Sequence, residues 1–214
     1  MFISSEDASP NFEEKTLILT SVSVGNVGQL SADLLISTLS MKRIGYIHHE
    51  SILPMVGNDP FASVGATTCN IVTSCEVYES MQKKLVVIQQ RAPFIKGKRP
   101  CFRNWLVQWI KDSKFKMVVI LTSTHAHERI DVQLQGCNAG VPAAVLLIFC
   151  AEGDNVQEAI ILANQLNIWL QLTDFHKKTL DNTWTLTEQS LNNWKIPMSW
   201  KLFFGSKVDQ TLFH

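Results

Sequence analysis

Residues 22–35, VSVGNVGQLSADLL, have the types and spacing of a phosphate-binding turn. An apolar run reaches Gly25, Gly28 follows, and the chain passes directly into a helical pattern. In the dinucleotide cradle G-x-G-x-x-G, the first glycine makes a tight turn. The second lets the backbone approach the pyrophosphate, and the third lets helix pack on strand. Ser23, Gly25 and Gly28 hold those places here, so a serine replaces the first glycine. Glu50 lies 22 residues beyond Gly28, where a ribose-binding acid would sit. This reading implies a Rossmann-like nucleotide-dependent enzyme. The other reading is structural, because a strand-to-helix corner also uses glycine.

Histidine pairs are the other candidate chemistry. His48-His49 and His125-Ala126-His127 could each offer two metal ligands, since alternate strand residues point the same way. Neither pair has a third ligand at a known spacing, and both sit at strand ends where solvated polar residues are expected. No G-x-S-x-G, H-E-x-x-H or P-loop motif occurs. The expectation from these histidines is no metal site, and the nucleotide reading of the glycine loop stays open at this point.

Elements that would position these residues follow from periodicity. Residues 17–24 read as a buried strand, 26–40 as a helix and 43–48 as a second strand, a βαβ unit suggesting a parallel pair. Residues 70–78 and 84–91 read as a hairpin across the polar linker ESMQKK. Phe102, Trp105, Leu106, Trp109 and Ile110 form one stripe of a helix over 100–111. Residues 116–123 and 143–150 are buried strands, and a helix follows from about 155, with Asn155 and Glu158 in capping-box spacing. Near-continuous apolar strands need cover on both faces. The fold class is thus α/β, a three-layer α/β/α sandwich with a mostly parallel central sheet. The span THAHERIDVQLQGCNAGVPA between the last two strands has no helical period.

Composition limits the classes. The 214 residues are 46% apolar and carry 19 basic and 19 acidic side chains, a net charge of zero, which disfavours nucleic acid as a partner. A chain this long can bury about 70% of its unfolded surface without disulfides or metal. No apolar run is long enough to span a bilayer. Residues 1–16 have no basic n-region and no apolar h-region, so no signal peptide is read there. Five scattered cysteines without a C-x-x-C pair suit a reducing compartment, cytoplasm or nucleus. The organisation read is one domain over 1–205 and a flexible tail over 206–214. WKIPMSWKLFFG, 194–205, reads as a segment docked on the core or as a partner surface. The sequence closes on Leu212-Phe213-His214, an apolar ending suited to docking.

Several stretches closely resemble the proteasome assembly chaperone 2 family: SVSVGNVGQLSADLLISTL, IGYIHHESILPMVGNDPFA, AVLLIFCAEGDNVQEA and WKIPMSWKLFFG. The likeness runs in order through nearly the whole chain. It implies an α/β/α chaperone without catalytic activity or cofactor, in which Gly25 and Gly28 only turn the corner. It further implies a heterodimer with proteasome assembly chaperone 1 that binds proteasome α subunits, promotes α-ring assembly and discourages off-pathway ring dimers. Tails ending hydrophobic–Tyr/Phe–any dock between α subunits in that family, and Leu212, Phe213 and His214 match the pattern. The family carries a longer segment between the residues resembling DVQLQ (131–135) and AVLLIF (144–149). Its shortness here implies a sheet edge left open.

Overall fold

Most apolar runs of the sequence become inner strands of a seven-stranded sheet. The computed structural model describes residues 1–5, 10–62, 70–125, 140, 142–174 and 193–203. The strands are β1 (Phe2–Ser4), β2 (Thr16–Thr20), β3 (Lys42–Ile47), β6 (Cys75–Ser80), β7 (Leu85–Gln90), β8 (Met117–His125) and β9 (Ala143–Cys150). β4 (Val56–Asn58) and β5 (Ile71–Thr73) pair antiparallel in a separate ribbon. The large sheet has the order β1-β3-β6-β7-β2-β8-β9. From β7 through β2 and β8 to β9 the pairs are parallel, whereas β1, β3, β6 and β7 pair antiparallel.

Alternation along the central strands builds a core on each face. Ile18, Leu85, Val87, Val119 and Leu121 point into one core with the helices α1 (Val27–Thr38) and α3 (Val156–Leu170). Leu17, Leu19, Val86, Ile88 and Val118 point into the other, under α2 (Arg99–Asp112). Phe102 and Ile110 of α2 are buried there, with Trp105, Leu106 and Trp109 packed alongside, so the sequence stripe is the contact face. This is the expected three-layer α/β/α fold.

Four local expectations are corrected. The strand read as buried at 143–150 is β9, which ends the sheet order with Leu147 and Phe149 exposed. β2 and β3 run in the same direction but are not a pair, because the β6–β7 hairpin lies between them and β3 pairs antiparallel with β1 and β6. The strand read at 70–78 breaks at Ser74. Its hydroxyl donates to the Leu53 carbonyl and accepts the Met55 N–H, both at 2.7 Å, which diverts Ile71–Thr73 into the ribbon. The capping box at α3 does not form. The Asn155 amide donates instead to the carbonyls of Ala151 and Gly153, and Asp154 accepts the Val156 N–H.

β8 and β9 are parallel neighbours, and β9 ends the sheet order. Residues 126–139, which join them, lie outside the described residues, as do the tail residues Leu212, Phe213 and His214. The segment after residue 193 is docked on the core. Trp194 and Trp200 are buried with α1 and α3, the Trp194 indole donates to Asn164 Oδ1 at 2.8 Å, and the Lys195 N–H reaches Thr38 Oγ1 at 3.0 Å. A short helix, Met198–Phe203, starts directly after Pro197.

Candidate functional site

The glycine loop sits at the carboxyl end of β2, where open α/β sheets bind ligands. It is closed. Val24–Asn26 form a single 3₁₀ turn, with Gly25 at φ 60° and Asn26 at φ 53°, both left-handed. A Cβ on Gly25 would lie 2.2 Å from Asn155 Nδ2, so the amide that fails to cap α3 fills the space above the turn. A Cβ on Gly28 would lie 2.5 Å from the Leu121 carbonyl oxygen, because α1 crosses β8 in backbone contact. The Ser23 and Ser123 hydroxyls are 2.7 Å apart, and Ser123 also donates to the Val24 carbonyl. Ser21 Oγ donates to Thr122 Oγ1 at 2.7 Å. A pyrophosphate would have to displace Asn155 and Ser123 together.

Glu50 does not complete a ribose site. Its side chain is 72% exposed and pairs with Lys98 at 3.4 Å. It follows β3, three strand spacings from β2, or about 14 Å across the sheet. A thermal-shift titration with NAD, NADP or ATP is therefore expected to leave the melting temperature unchanged. A ligand at a hundredfold its Kd would add about 2.7 kcal/mol, so a clear upward shift would restore the nucleotide reading.

The histidines are separated into unlike environments. His48 is exposed, while the His49 ring packs against Phe102 and Trp105, and its Nδ1 accepts the Ser51 N–H at 3.1 Å. Burial, and then the nearby amino terminus, hold the His49 pKa below its ordinary value. His125 closes β8, and His127 lies outside the described residues. Among the described residues no three His, Cys, Asp or Glu side chains come together as a metal site.

Two buried ionic clusters were not singled out by sequence reasoning. Asp33 on α1 takes a two-pronged contact from Arg91, with Nη2–Oδ1 at 2.7 Å and Nη1–Oδ2 at 3.2 Å, and a third bond from Gln89 Nε2 at 2.7 Å. Burial opposes the Arg91 charge, but the Asp33 carboxylate keeps its pKa above the ordinary value. Fully buried Glu76 accepts from Arg43 Nη1 at 2.9 Å, Tyr78 Oη at 2.7 Å and the Thr73 N–H at 3.1 Å. Burial, and then the Glu76 charge, push the Tyr78 phenol upward. Arg43 also donates to the Ile71 carbonyl, which ties the β4–β5 ribbon to the main sheet. The signal in sequence was a lone charge inside an apolar run: Asp33 in ADLLI and Glu76 between Cys75 and Val77. Every charge here is matched by a partner, as in an interior scaffold. A pocket of about 350 Å³ beside this cluster is lined by Arg43, Tyr46, Asp59, Phe61, Asn70 and Tyr78.

What the surface does offer is area for contact. Leu53, Met55, Val56 and Ile71 are exposed on and beside the ribbon, Leu147 and Phe149 on β9, and Ile168 and Trp169 at the end of α3. Apolar groups in neighbouring positions on a surface mark interaction sites more than chemistry.

The sequence model described as the PAC2 family matches residues 17–199. Proteasome assembly chaperone 2 of Danio rerio is 39% identical, and that of Homo sapiens 33%, each over 100% of both chains. Those alignments extend over 271 positions against 214 residues here, so the relatives carry residues this chain lacks. The crystal structure of Pyrococcus furiosus PbaA, an archaeal homolog of proteasome-assembly chaperone, shares the fold with a TM-score of 0.62 at 17% identity, covering 86% of this chain and 88% of that one.

Proposed function

As the chain belongs to the PAC2 family, we propose that it is a proteasome assembly chaperone, acting by binding and not by catalysis. The observation that carries this is full-length similarity to relatives of that name, on the same fold. The closed glycine loop speaks against the nucleotide-dependent alternative.

The finer reading is a heterodimer with proteasome assembly chaperone 1 in cytoplasm and nucleus. It promotes assembly of the proteasome α-ring and prevents off-pathway ring dimers. Leu212, Phe213 and His214 serve as the docking tail between α subunits. Burying one Phe contributes roughly 1.5–3 kcal/mol, and the folded body supplies the remainder through effective concentration.

Co-purification from cells, with identification of the bound chains, tests the function: α subunits and a sequence-related chaperone are expected. Deleting residues 212–214 is expected to weaken capture of α-rings by about tenfold or more while leaving the heterodimer intact. Unchanged capture in a pull-down titration would remove the tail from the mechanism.

A further inference from the structure

The α2 layer carries charge that nothing else in the described fold balances. Residues 95–116 hold seven of the chain's 19 basic side chains and one of its 19 acids, Asp112. Two of the seven are paired, Lys98 with Glu50 and Lys114 with Glu13. Lys96, Arg99, Arg103, Lys111 and Lys116 are exposed, and no carboxylate among the described residues pairs with them. Arg99 and Arg103 stand one turn apart on α2, Lys111 two turns further on, and Lys96 and Lys116 flank the helix. Their arrangement is fixed from below, because α2 is anchored through Phe102 and Ile110 and through the stack of Trp105 on Trp109.

Clustered like charge opposes folding by self-repulsion, whereas a facing surface of opposite sign turns the same charge into attraction and faster encounter. Because the whole chain is neutral, this positive face is a local asymmetry and not a general basic character. Duplex nucleic acid fits poorly, as its binders carry a basic excess overall. A bilayer fits poorly too, because no large apolar side chain from 95–116 is exposed to insert beside the cations. We propose that the exposed α2 face, centred on Arg99, Arg103 and Lys111, is a docking surface for an acidic protein patch, and that this patch lies on the proteasome α subunits. The inference rests on the chaperone reading and adds to it the face that meets the client and the sign of the client's charge.

The test measures association of the full chain with purified proteasome α-rings at increasing sodium chloride. Arg99→Glu with Arg103→Glu is compared with Lys83→Glu plus Lys84→Glu, a control that changes net charge equally from exposed positions elsewhere. The α2 pair is expected to slow association by about tenfold at low salt and to flatten the salt dependence, while the control stays within about twofold of wild type. Melting temperatures establish that both variants are folded. Equal effects of the two pairs would reduce the face to net charge and overturn the proposal, as would no effect of either. Tight binding of a fluorescent DNA duplex at 150 mM salt, lost in the α2 variant, would reassign the face to nucleic acid. If the wild-type chain does not bind the rings at all, the chaperone reading fails along with it, which is a different result from rings bound but insensitive to α2.

Discussion

Asp33→Ala is expected to lower the unfolding free energy by about 3–5 kcal/mol, the range for breaking one side of a buried ion pair. The carboxylate accepts three bonds, two from Arg91 and one from Gln89. Removing it strands a guanidinium whose side chain is only 16% exposed, beside an amide that is fully buried. Arg91 Nε already lacks an acceptor, so the guanidinium would be left with its charge uncompensated. The missing carboxylate also leaves a gap between α1 and the buried Gln89 amide of β7. Urea unfolding followed by tryptophan fluorescence measures the loss. Asp33→Leu combined with Arg91→Met, which removes both charges, is expected to recover most of it. A loss below about 1 kcal/mol for the single change would mean that water reaches the pair and screens it as at a surface.

Gly28→Ala is the second large effect, expected at about 1–3 kcal/mol or more. The obstacle is the Leu121 carbonyl oxygen, a backbone atom of β8 held between β2 and β9, and no side chain can swing aside to make room. The helix itself has to lift from β8, loosening Leu34 and Leu35 over Val119 and Leu121. Gly57→Ala is the fitting control, because its new methyl would meet only Val72 at 3.6 Å, an ordinary contact. If Gly28→Ala melts like Gly57→Ala, close helix–strand approach is not why a glycine stands at 28.

The two-sided sheet was legible because Leu17–Leu19, Leu85–Ile88 and Val118–Leu121 are apolar without interruption, and only a strand covered on both faces needs that. The stripe of α2 was legible for the same reason, as a period that survives any change of partner. Strand order was not. β3 looks equally suited to lie beside β2 or at the rim, and insertion of the β6–β7 hairpin decides it through pairings that no local pattern encodes. Nor could the glycine loop be settled from VGNVGQL. Its closure depends on Asn155 and Ser123, which reach it from α3 and β8. The Asp33–Arg91 pair was hidden likewise: Asp33 inside ADLLI marks a buried charge, but nothing local names a partner 58 residues away.

The order of strands also sets a timetable for synthesis. β2 is among the first elements to leave the ribosome, yet both of its neighbours are translated late, β7 at Leu85–Gln90 and β8 at Met117–His125. Until they arrive, the nascent chain presents Leu17, Ile18 and Leu19 with both ladder edges open. The core shared with α1 and α3 is completed later still, by Trp194 and Trp200. At about 5–20 residues per second, roughly 10–40 s separate β2 from Trp200. Through that interval the growing polypeptide is itself expected to be held by general holdases, which ribosome-bound pull-down would detect. Slowing elongation is expected to lengthen the exposure of β2 in proportion, because no earlier part of the chain can take the place of its two late partners.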